Sequence, residues 1–165
     1  MGTVARHKIL AFVGFTTGGQ SGGTTTVYKR IHQFTSFTHN KNPQEYSRQY
    51  VDEPFQQDDV VGYAPSYDYA FDKNSATNDE VQQRIITITD EEKIGDNAVV
   101  DLLVVDTASA TYVARQRYYS VIPGTEGDNI NVYTYSGTMK ARGKLVAGTA
   151  ETSDNWETCT FTPST

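Results

Sequence analysis

Tyr67-Asp68-Tyr69-Ala70-Phe71-Asp72 ends the stretch whose reading decides the fold, and Tyr50-Val51-Asp52-Glu53-Pro54-Phe55-Gln56-Gln57-Asp58-Asp59-Val60-Val61-Gly62-Tyr63-Ala64-Pro65-Ser66 leads into it. The stretch begins polar and turn-like. It then sets Tyr67, Tyr69 and Phe71 against Asp68, Ala70 and Asp72. Successive side chains of a strand point to opposite faces, so this alternation marks a strand with one face buried and one wet. The strand is expected over residues 60–71, with Gly62 and Pro65 as bulge or bend points.

The same reading extends outward along the chain. Residues 7–15 read as a first strand, followed by a Gly- and Thr-rich loop with too little apolar surface to order itself. Residues 27–38 alternate as one strand with apolar residues on both faces, which predicts cover from a second subunit on the outer side. Residues 39–43 read as a polar turn, and 44–53 as a polar, strand-like segment that Pro54 confines to an edge or loop. Residues 99–105 are almost continuously apolar and predict a strand buried on both faces. Residues 111–122 and 129–140 predict an antiparallel pair joined at Gly124 and Gly127, and 144–149 and 156–162 complete the sheet.

One helix is expected, over about residues 78–94. Thr77 or Asn78 can cap it, Asp79 and Glu80 suit its positive end, and Val81, Ile85 and Ile88 fall on one face. The β-branched run Ile85-Ile86-Thr87-Ile88-Thr89 also fits a strand. The fold class that follows is mainly β: a sandwich or barrel of antiparallel strands with one flanking α-helix. The expected organisation is a single domain over residues 1–165, with flexible loops at about 16–26 and 39–59.

At 165 residues the chain is long enough for one core and short for two. Its net charge of −6 argues against a protein that grips nucleic-acid phosphates, and is compatible with one that DNA merely passes. The single Cys159 excludes an internal disulfide and reads as a small buried residue. No signal-peptide pattern opens the chain and no apolar run reaches the roughly 20 residues of a membrane-spanning helix. A protein made and left in the cytoplasm unless something else carries it out, without membrane insertion, is the expectation.

Motifs for chemistry are missing. The Gly18–Gly23 segment lacks the lysine of a phosphate-binding loop and leads into a strand. His7, His32, His39 and Cys159 share no metal spacing. The adjacent pairs Asp58-Asp59 and Glu91-Glu92 point apart on regular backbone and read as solvated charge. The turn at 125–129 lacks the ligand series of a calcium hand, and no Gly-x-Ser-x-Gly elbow is present. No enzyme, no cofactor and no metal are therefore expected. Tyr63, Tyr67 and Tyr69 read either as a subunit interface or as the stacking platform of a carbohydrate-binding or adhesin module.

Three runs resemble the tail tube (major tail) proteins of tailed bacteriophages: residues 50–72, Gly95-Asp96-Asn97-Ala98-Val99-Val100-Asp101, and Tyr118-Tyr119-Ser120-Val121-Ile122-Pro123-Gly124-Thr125-Glu126-Gly127-Asp128. They lie in the middle and C-terminal two thirds of the chain. The resemblance implies a barrel or sandwich whose copies close into hexameric rings around a lumen and stack into a tube, in a phage or a phage-derived tailocin. It also implies partners: other copies of the chain, a tape measure, a tail tip, a terminator and, in a contractile tail, a sheath. DNA would pass without specific binding. The candidate inter-subunit residues are Tyr46, Tyr50, Phe55 and Tyr63, and the candidate lumen charges are Asp68, Asp72 and Asp101.

Overall fold

The computed structural model describes residues 2–18, 24–73, 79–127 and 129–164. Its strands are β1 (Ile9–Gly18), β2 (Thr24–Arg30), β3 (Phe34–Asn40), β4 (Pro43–Arg48), β5 (Gln57–Tyr63) and β6 (Ser66–Asp72), followed by the helix α1 (Glu80–Asp90). After α1 come β7 (Val99–Asp106), β8 (Val113–Glu126), β9 (Thr134–Ala141), β10 (Val146–Glu151) and β11 (Thr158–Pro163). Nine strands form one antiparallel sheet in the order β10-β11-β2-β1-β7-β8-β9-β6-β3, and β10 also pairs with β8. That extra pairing closes β10, β11, β2, β1, β7 and the first half of β8 into a six-stranded barrel. The second half of β8 continues into an open wing with β9, β6 and β3.

Alternation along β1 and β7 divides the apolar residues between two cores. Phe12, Leu103 and Val105 point into the barrel with Tyr28, Ala114, Ala150 and Cys159. Val13, Val100 and Leu102 point the other way, towards the wing residues Tyr67, Tyr69, Phe71, Val121 and Met139. Helix α1 covers this second core with Val81, Ile85, Ile86 and Ile88. The expected double burial of residues 99–105 and the expected helical face are therefore both present. Cys159 is buried in the barrel, and desolvation pushes its thiol up to about 12. It stays protonated and packs as an apolar residue.

Several boundaries differ from the expectation. Residues 27–38 are not one strand: Gln33 takes a left-handed φ of 62° and turns the chain, so β2 joins the barrel while β3 forms the far edge of the wing. The apolar residues on both faces then have cover within the subunit, Tyr28 in the barrel and Phe34 and Phe37 against the second core. Helix α1 stops at Asp90 rather than 94. The acidic run Asp90-Glu91-Glu92 opposes the negative end of its dipole, and Glu92 enters the left-handed region at φ 51°. Its cap is Asp79, which accepts from the Gln82 backbone N–H (3.3 Å). The expected caps Thr77 and Asn78 lie outside the described residues.

The two expected loops are also corrected. Segment 16–26 belongs largely to the β1–β2 hairpin, paired through Gly18 opposite Thr24; residues 19–23 lie outside the described residues. Segment 39–59 contains the end of β3, all of β4 and the start of β5. β4 and β5 pair only with each other, as an arm. Residues 60–71 are not one strand: β5 ends at Tyr63 and β6 begins at Ser66, with Ala64 and Pro65 linking the arm to the wing. Gly124 lies inside β8, and the turn to β9 begins at Gly127 (φ 71°).

Candidate assembly surfaces

Four features stand apart from ordinary core and surface: the outer face of the wing, the arm, a groove at the arm's base, and a polar cluster in the barrel.

The wing buries the inner side of β8, β9, β6 and β3. Its outer side carries Ser36, Thr38, Asn40, Asp68, Ala70, Asp72, Ser136, Thr138 and Lys140 on adjacent strands. Asp68 accepts from Asn40 Nδ2 (2.9 Å) and Thr138 Oγ1 (3.2 Å), so hydrogen bonds across three strands fix its carboxylate on this face. Asp72 lies on the same face, two pleat repeats along β6. The Asp72 backbone carbonyl accepts from the buried Gln82 Nε2 (3.1 Å), which also donates to the His32 carbonyl (3.2 Å) and so ties α1 to both ends of the turn and strand beneath it.

Asp101, grouped with these two on sequence, does not join them. It points into the barrel, where Tyr28 Oη donates to Oδ2 (2.9 Å) and Gln116 Nε2 donates to Oδ1 (2.6 Å). Desolvation raises its pKa, and the two hydrogen bonds and the Arg84 charge oppose that rise.

The wing has two open edges. β3 pairs with β6 on one side only. On the opposite side, β7 pairs with β8 only as far as Ser120, so Val121–Glu126, paired to β9, presents its other edge unpaired. A strand edge of this kind is a template for a further strand.

The arm carries the four candidate interface residues along its length, each in solvent: Tyr46 is 55% exposed, Tyr50 50%, Phe55 60% and Tyr63 61%. Arg48 braces it, paired with Asp59 across the hairpin and lying over the Tyr46 and Tyr50 rings at 5.8 and 5.7 Å. A turn in which the Glu53 N–H donates to the Tyr50 carbonyl (3.1 Å) forms the tip and leaves Val51 fully exposed. At the base, the Ala64 N–H donates to the Asn42 carbonyl (3.2 Å) and Asn42 Nδ2 donates to the Ala64 carbonyl (3.1 Å). Tyr63 and Tyr67 line one groove, but Tyr67 and Tyr69 turn their rings inward. They are 6% and 3% exposed in the second core, so the three cannot form a stacking platform for a sugar.

Beside the arm's base lies a groove of about 670 Å³ between the end of β3, β7 and the first half of β8. Leu102, Val104, Val113 and Tyr119 give it apolar walls, and His39, Lys41, Arg115 and Arg117 give it a basic rim. His39 stacks on Tyr67 at 4.1 Å, and burial, then the charges of Lys41 and Arg117, hold its pKa below the usual imidazole value. Sequence reading missed this rim, because its residues come from segments more than 70 positions apart. Among the described residues, no helix is long and apolar enough to cross a membrane.

No protein-family model matches the chain, and no curated protein matches it. Solved structures do. A chain in the virion of a native gene transfer agent particle superposes with a TM-score of 0.57 at 12% identity, over 87% of this chain and 97% of that one. A chain in the tail of an empty gene transfer agent particle, refined helically with C6 symmetry, gives the same values. At such identity the likeness speaks for the fold alone: this chain folds as a chain in a gene transfer agent tail does, a mainly β architecture with a flanking helix of the kind that the sequence resemblance implied.

Proposed function

We propose that the chain is a non-enzymatic tail-tube subunit whose copies close into six-membered rings and stack into a conduit for DNA. The observation that carries this reading is the wing. One face is packed on the core, the other is a field of small polar side chains and carboxylates, and both lateral edges are open. Pairing the β3 edge of one copy with the Val121–Glu126 edge of the next is a head-to-tail contact between different surfaces, which generates a ring when the rotation closes. Such a ring has a continuous four-strand sheet per copy as its wall. The C6 symmetry of the gene transfer agent tail supports six copies.

The polar outer face then lines the bore. Asp68 and Asp72 against Lys140 give it an acidic balance, and hydroxyl groups fill most of the remainder. A wall of that sign repels phosphates and leaves DNA free to move, whereas a basic wall would bind them with counterion release. The arm, with its exposed Tyr46, Tyr50, Phe55 and Tyr63, supplies the contact between rings. In a phage or tailocin particle the tube would meet a tape measure within, a tip and a terminator at its ends and, in a contractile tail, a sheath outside. Assembly would take place in the host cytoplasm.

Sedimentation and negative-stain imaging of the purified chain test this reading. Rings or tubes are expected at high protein concentration, forming faster on a tail-tip complex because the nucleus is then supplied. Monomers at every concentration, with and without the tip complex, would overturn it.

A further inference from the structure

We infer that the basic-rimmed groove is the socket for the arm tip of a second copy of this chain, which gives the tube reading its specific ring-to-ring contact. The two surfaces are complementary in charge and in apolar content. Five carboxylates (Glu45, Asp52, Glu53, Asp58, Asp59) stand against the single Arg48 over residues 44–59, so the arm holds four of the chain's six net negative charges. The groove rim carries Lys41, Arg115 and Arg117 against Asp106, and Asp106 Oδ1 is already engaged by the Ala108 N–H (2.9 Å). Among the described residues, none of Lys41, Arg115, Arg117, Asp52 or Glu53 is in an ion pair. Arg117 Nε is buried without a hydrogen-bond partner. Apolar side chains match as well: Tyr50, Val51 and Phe55 at the tip are exposed, and the groove walls are Leu102, Val104, Val113 and Tyr119.

The tip cannot reach its own groove. Tyr63 and Pro65, at the arm's base, line the groove themselves, and the seven residues of β5 carry the tip about 20 Å away from them. The occupant is therefore another copy. Opposite charges on two surfaces of one chain give a contact that repeats along an axis, and charge pairing fixes its register.

Charge exchange tests the inference. Lys41, Arg115 and Asp52 are exposed, and Glu53 is half-buried with its Oε2 accepting from Gln57 Nε2 (2.8 Å), so circular dichroism and thermal melting check that the substitutions leave the fold intact. K41E/R115E and D52K/E53K are each expected to raise the concentration for half-assembly by about tenfold or more. The quadruple variant is expected to return to within about threefold of the wild type. Independently, copies bearing Val51→Cys mixed with copies bearing Leu145→Cys, on the groove wall, should form a disulfide-linked heterodimer on oxidation, with the buried Cys159 as a silent background. If the wild type forms tubes but the reversals assemble normally, or the quadruple variant fails to recover and no heterodimer forms, the socket is wrong and the tube reading stands. If the wild type never assembles, the tube reading itself fails and the socket with it.

Discussion

Inside the barrel, Asp101 is a carboxylate among apolar neighbours, and its two hydrogen bonds from Tyr28 and Gln116 satisfy both oxygens. Burial raises its pKa above the ordinary 3.8, so between those values the folded chain holds a proton that the unfolded chain has released. Stability owed to this group is full below the unfolded value, falls as pH climbs towards the folded value, and then levels off. Asp101→Asn cannot ionise. The difference in melting temperature, wild type minus variant, is predicted to decrease as pH rises from 3.8 and then to flatten; a difference that stays constant or grows contradicts the burial. A second residue controls the wing. A Cβ at Gly137 would lie 2.6 Å from the Ile122 carbonyl oxygen, 2.8 Å from Tyr69 Oη and 2.9 Å from the Gly124 N. Gly137→Ala forces β8 and β9 apart and is predicted to cost about 2–3 kcal/mol in denaturant unfolding. The alternation of Tyr67, Tyr69 and Phe71 was legible in the sequence, and so was the burial of Cys159. The placement of Asp101 was not: its partners lie 73 and 15 positions away, and in sequence it looks like Asp68.

Elements were legible wherever the periodic signal was long and its ends had a local cause. Helix α1 forms despite its β-branched run because Val81, Ile85 and Ile88 reach the second core together, and burial outweighs propensity. Its C-terminal boundary was misplaced because Gly95 looked like the stop, when the acidic residues before it had already ended the helix. The split between β2 and β3 had no glycine or proline to announce it; Gln33 takes the left-handed turn, a conformation its sequence context does not signal. The arm was hidden for a related reason. Its strands are polar and meet no core, so neither face shows the alternation that identifies a packed strand. Because Asn42 and Ala64 are already hydrogen-bonded across its base, replacing Pro43–Tyr63 with a two-glycine link removes the arm without stretching the chain. That variant is predicted to keep the wild-type melting temperature to within a few degrees and to lose ring-to-ring stacking in electron micrographs. Tubes of normal length from the variant would remove the arm from the assembly contact.

At the scale of the whole molecule, the closed barrel and the open wing divide the work. The barrel encloses one core, and α1 with β1 and β7 closes the other against the inner face of the wing. The wing leaves two edges unpaired and a polar face uncovered, an arrangement that a solitary domain has reason to avoid. Closing those edges on other copies explains both features together, and it sets the direction in which every subunit faces. A wall charge on that face still acts on DNA passing within about 10 Å at 0.1 M salt. Helical reconstruction of the assembled protein by electron cryomicroscopy tests this most directly. The predicted map has six copies per ring, β3 paired to Val121–Glu126 of the neighbour, and the face bearing Asp68 and Asp72 towards a bore of negative potential. A bore lined by α1 or by the barrel, or a wall of positive potential, would contradict the account.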